Sequence, residues 1–156
     1  MDTQETLFDL LERIAAMDDA AIAAQRADLH RTLLASGEQS VSRWLEAHGQ
    51  QPTQETHEGY RLLALHRQAA RPDPSFNACR ESCRELIYQC NVAAASDDVH
   101  SIGQHTRLAA NVAKHLLLFI DGKLENSRMG EFCCAARPLR ARDELIADAP
   151  SSAPRA

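Results

Sequence analysis

Aromatic side chains are scarce in this chain of 156 residues: four Phe, two Tyr and one Trp. Without them, core volume must come from Leu, Ile, Val and Ala, a composition that favours helices over pleated sheets. No apolar run approaches the length of about 18 residues that a membrane span requires. The best stretch, Leu116-Leu117-Leu118-Phe119-Ile120, is far too short. Lysine is nearly absent, two against fifteen arginines, and the net charge is −5. That balance argues against the basic face that general nucleic-acid affinity needs. The arginine and alanine bias points to a GC-rich bacterial genome. The opening, MDTQETLFDLLERI, has neither the basic start nor the cleavage site of a signal peptide. A cytoplasmic location with reduced thiols is therefore expected.

Catalytic signatures are missing too. There is no Gly-rich phosphate loop, no H-E-x-x-H and no Glu-x-x-His set for a di-iron bundle. His57-Glu58 has no second histidine at the required spacing. A cysteine nucleophile needs a positioned histidine and an orienting group, and the sequence identifies neither. Catalysis is not the expected role. Strand patterns are also absent, since nowhere do four or more residues alternate cleanly with β-branched enrichment.

What is present reads as helix. Asp2 can cap a first helix with Glu5 in the capping-box position, and Leu7, Leu10, Leu11 and Ile14 follow the helical period. Asp18-Asp19 marks a restart, carried on by Ile22, Leu29 and Leu33 until Ser36-Gly37 interrupts it. A shorter helix through Val41, Trp44 and Leu45 closes at Gly49 as a C′ glycine. Pro52-Thr53 begins another, with Tyr60, Leu63 and His66 or Arg67 along it, and Pro72 and Pro74 end it. A cysteine-bearing helix spans about Ser75 to Ala95. Ser96, Asp97 and Asp98 then open the longest helix, which ends near Gly122. A short helix or turn is expected over Leu124–Cys134. The pattern predicts an all-α, compact bundle of about five or six helices over residues 1–136, with a polar, disordered C-terminal tail over 137–156.

Five cysteines are the most informative residues. On one helix Cys83 lies about 40° and Cys90 about 20° round from Cys79, so the three thiols form a narrow stripe. Phe76, Leu86, Ile87 and Ala94 share that side, while Arg80, Glu81, Arg84 and Glu85 lie opposite. Free cysteine packs as a small hydrophobe, and core packing explains the spacing. A soft-metal site is the alternative. Cys79 and Cys83, one turn apart, would supply two sulfurs. His105, on the inward face with Ile102, Ala109, Val112 and Leu116, would add a nitrogen, and Cys133 or Cys134 would close the set. Cys79, Cys83, His105 and Cys133 are thus the candidate metal ligands, for zinc or copper(I), and no other cofactor is expected. The paired Cys-x-x-Cys knuckles of zinc sites are absent. A redox hairpin would need a second Cys-x₃-Cys pair, and Cys133-Cys134 can bond only with a distorted peptide.

Charge is uneven. Residues 1–60 hold eleven acidic groups and four arginines, leaving −7 there and +2 in the remainder. Two solvated faces or a self-association or partner surface would both produce this. The expected function is a small cytoplasmic helical interaction module, acting in regulation or assembly through a protein partner or a homo-oligomer, without nucleic acid or membrane. A thiol-based soft-metal or redox sensor and a helical small-molecule-binding domain are the alternatives.

Overall fold

Thr6 opens the first helix: its hydroxyl accepts the Asp9 N–H at 3.0 Å, satisfying a donor that the helix itself leaves orphaned. In the computed structural model, which describes residues 5–128, α1 then runs Leu7–Ala15 and buries Leu11 and Ile14. Asp2, expected as the cap, lies outside the described residues. Asp18 caps α2, Asp19–Ala24, by accepting the Ala21 N–H at 2.8 Å, and Ile22 enters the core.

The expected break at Ser36-Gly37 does not occur. Helix α3 runs uninterrupted from Arg26 to Ala47. The Ser36 hydroxyl satisfies itself on the Leu33 carbonyl at 2.7 Å, one turn back. At Gly37 an added Cβ would come within 3.0 Å of Leu86 and 3.2 Å of Leu62. The glycine is a site of close helix approach, and its cost in helix propensity is offset by packing. Helix α3 ends as expected at Gly49, in the left-handed region at φ +75. Gln50 N–H reaches Leu45 O at 2.9 Å and Gly49 N–H reaches Glu46 O at 3.1 Å, the two bonds of a Schellman stop.

No helix begins at Pro52-Thr53. The following segment is irregular, and α4 starts only at Arg61, running to Ala70. Apart from Pro52, residues 51–58 contain no apolar side chain to repay a helical turn. Their backbone is held instead by α4 side chains. Gln68 accepts from Thr53 N–H at 2.9 Å and donates to Gln51 O at 2.8 Å, and Arg61 Nε donates to Thr53 O at 2.8 Å. His57 and Tyr60 exchange two backbone bonds of 3.0 Å around Glu58 and Gly59, which have φ of 54 and 88. Positive φ at both central residues is the tight reversal that hairpins use.

Asp73 caps a 3-10 turn, Pro74–Cys79, accepting from both Ser75 N–H and Ser75 Oγ. The expected helix start at Ser75 is thus displaced: α5 proper is Arg80–Ala95, with Cys79 as its N-cap. Arg26 of α3 closes its other end, donating to Ala93 O at 3.1 Å and Ser96 O at 2.8 Å. Helix α6, Val99–Arg128, continues past Gly122, where an end was expected. It starts on Asp98, whose carboxylate accepts the Ser101 N–H at 2.8 Å.

Among the described residues there are six α-helices, one 3-10 turn and no strand. None of these helices is long and apolar enough to cross a membrane. The chain divides after Ile120 into two units. In the first, α3 packs on α1, α2, α4 and α5, around Leu33, Val41, Leu45, Leu62, Leu65 and Leu86. The N-terminal part of α6 joins it through a buried bond of 3.0 Å between His30 and Thr106. In the second, residues 121–128 complete α6, and Asn126 donates to Gly122 O at 2.8 Å. The predicted tail over 137–156 lies outside the described residues.

Candidate thiol centre

Phe76 organises the site. Its ring is fully buried, with centroids 5.1 Å from Trp44, 6.4 Å from His66 and edge-on to Phe119 at 5.9 Å. The 3-10 turn that carries it leaves its carbonyl pointing back into the protein. There it accepts from His66 Nε2 at 2.6 Å and from the Cys79 thiol at 3.2 Å. His66 comes from α4, where Leu62, Leu65 and Ala69 share its inward side. Cys83 follows Cys79 by one turn of α5. Cys79, Cys83 and Cys90 are all buried free thiols, the arrangement that core packing predicts.

The three sulfurs are not equivalent. A hydrogen bond from the Cys83 thiol is the main influence drawing Cys79 down to about 6, against burial, with His66 adding a hydrogen bond and charge. Cys83, as the donor and completely buried, is pushed well up. Burial alone would lower His66, but its bonds to the Cys79 sulfur and the Phe76 carbonyl outweigh that and raise it. Cys90 has burial alone acting on it, and its thiol is pushed up to about 12. The Phe76 carbonyl also accepts from the neutral Cys79 thiol, so both protonation states are hydrogen-bonded.

Of the four residues proposed as metal ligands, the fold brings Cys79 and Cys83 together. His105 stands elsewhere: its Nδ1 meets Gln89 Oε1 at 2.6 Å, and Gln89 in turn donates to Glu85 at 2.6 Å. Cys133 lies outside the described residues, as does Cys134. Among the described residues, no three His, Cys, Asp or Glu side chains are placed to hold one metal ion. The histidine that does join the thiols, His66, bonds both the Cys79 sulfur and the Phe76 carbonyl, and the second is a backbone partner that side-chain spacing does not record.

Two surface features lie outside the thiol centre. Between α5 and α6 lies a groove of about 400 Å³ lined by Glu81, Ser82, Glu85, Leu108, Val112 and His115, among others. Leu108 is 41% exposed there, and Tyr88, next along the Glu81–Glu85 stripe, is 59% exposed. A second cavity, of about 590 Å³, lies between the loop after α3 and Arg67, Gln68 and Arg71 of α4, with a mainly polar lining. No family model matches this sequence, and no curated protein or solved structure gives a match.

Proposed function

We propose that this chain is a helical interaction module whose docking surface is the α5–α6 groove, and that it serves regulation or assembly by holding a protein partner there. The observation that carries this reading is the pairing of an exposed Leu108 and a half-buried Val112 on α6 with acidic side chains on α5. Leu108, Val112 and His115 fall within about 60° of one another on the helix, and Leu108 keeps 41% of its surface in water. Facing them, Glu81 and Glu85 line the opposite wall. An apolar row beside a negative rim suits an amphipathic helix whose apolar stripe is flanked by Lys or Arg. A different protein is favoured over a second copy, because the N-terminal half of this chain is itself acidic. Free rather than disulfide-bonded Cys79, Cys83 and Cys90 favour a reducing, cytoplasmic setting.

The test replaces Leu108 and Val112 with Glu. Both are at the surface rim, so the fold should persist, as circular dichroism would show. Native recovery from cell extract should yield a stoichiometric partner with the parent and lose it with the double variant. Recovery of the same protein by both would remove the groove from consideration. Light scattering of the parent alone as a dimer would assign the surface to self-association instead.

A further inference from the structure

The thiol pair does more than fill space. Cys79, as N-cap, has φ −103 and ψ 8, close to helical values, so the helical spacing of Cys79 and Cys83 holds approximately. A four-residue separation on a helix places Cα atoms about 6.2 Å apart from the radius and rise, and Cβ atoms about 5–6 Å apart. A disulfide needs Cβ atoms about 3.8 Å apart, so a direct bond would require the first turn of α5 to unwind. Two metal–sulfur bonds of about 2.3 Å each span up to about 4.6 Å between sulfurs, which this spacing accommodates without backbone change. The geometry therefore discriminates between the two chemistries a thiol pair can support.

The donor count narrows the ion. Zinc requires four ligands, and no third His, Cys, Asp or Glu among the described residues is placed to join the two sulfurs. A soft monovalent d¹⁰ cation, unlike zinc, can be held by two thiolates alone. We propose that Cys79 and Cys83 form a two-sulfur site for a soft monovalent cation, of which copper(I) is the biological example. Two metal–sulfur bonds form as two thiol protons leave for solvent, and no oxidation state changes. His66 and the Phe76 carbonyl are positioning groups: they fix Cys79 by hydrogen bonds and do not bind the ion. Cys79 keeps 3% of its surface accessible at the junction of the 3-10 turn and α5. Hydrogen bonding in 3-10 structure is poorer than in α-helix, which makes this junction the natural place for an ion to enter. Cys90, a further seven residues along, has no second sulfur one turn away and takes no part.

Cys133 and Cys134, consecutive in the sequence, would themselves compete for copper(I), so the experiment uses the full chain carrying Cys133→Ser and Cys134→Ser. Reduced, anaerobic protein is titrated with copper(I) against a chromophoric chelator. One equivalent should bind, should persist in Cys90→Ser, and should fall at least 100-fold in affinity when Cys79→Ser and Cys83→Ser are added. Failure to withdraw copper(I) from the chelator, or equal binding by the Cys79 and Cys83 variant, would overturn the site. A second measurement does not depend on the variants folding. One equivalent of silver(I) should protect Cys79 and Cys83, but not Cys90, from alkylation mapped by mass spectrometry during slow native-state opening. Labelling of Cys79 and Cys83 unchanged by silver(I) would contradict the proposal.

Discussion

His30 and Gly103 show how single positions in this molecule carry more than their sequence neighbours reveal. The His30 ring is buried against Thr106 of α6, and burial, together with the charge of Arg26, lowers its affinity for a proton. The unfolded chain, with an ordinary imidazole near 6.5, takes up the proton first as pH falls. Stability linked to this residue is therefore present at neutral pH and lost below that value. His30→Gln keeps a donor for Thr106 but cannot titrate. Between about pH 7 and pH 5 the melting temperature of the parent should fall more steeply than that of the variant, and parallel curves would show that His30 is not held neutral. Gly103 makes the opposite kind of prediction. Alanine in a helix interior ordinarily gains about 1 kcal/mol over glycine. Here an added Cβ would lie 2.9 Å from Asp19 Cγ and 3.1 Å from Asp19 Cα. Asp19 cannot move freely, because Arg107 meets it at 2.8 Å and His100 at 3.1 Å. Gly103→Ala should thus cost about 1–3 kcal/mol in chemical denaturation, and a stabilised variant would mean that α2 is free to shift.

At the scale of elements, capping and breaking signals proved more readable than continuity. Asp18-Asp19 marked a real restart, with Asp18 as its cap, and Pro72 and Pro74 marked a real boundary, because both act through local backbone chemistry. Ser36-Gly37 looked like a stop but lies mid-helix, since the reason for the glycine is contact with Leu62 and Leu86, far away in sequence. Pro52-Thr53 looked like a start but opens a loop held by Gln68 and Arg61. The thiol centre divides along the same line. Cys79 and Cys83 were visible from helical spacing, whereas His66 meets Cys79 through the tertiary packing of α4 and through the Phe76 carbonyl that a 3-10 turn directs inward. That turn is accordingly the element whose loss should matter most. Phe76→Ala removes the ring that Trp44, His66 and Phe119 surround and should cost about 3–5 kcal/mol. It should also speed alkylation of Cys79, measured by timed labelling. A loss under about 1 kcal/mol with unchanged labelling would show that the turn is held by other means.

At the scale of the whole molecule, the all-helical architecture of the described residues followed from what the sequence lacks: aromatics, alternating strands and long apolar runs. The surface was less legible, because exposure of Leu108 and its apposition to Glu81 and Glu85 depend on how α5 and α6 meet. The groove is also where the proposed function can be examined most directly. With the partner recovered through the native chain, amide hydrogen exchange should be compared between free and bound protein. Slowed exchange confined to residues 81–88 of α5 and 108–115 of α6 is the predicted result. Protection centred on α1 to α3, with α5 and α6 exchanging as in the free chain, would contradict it.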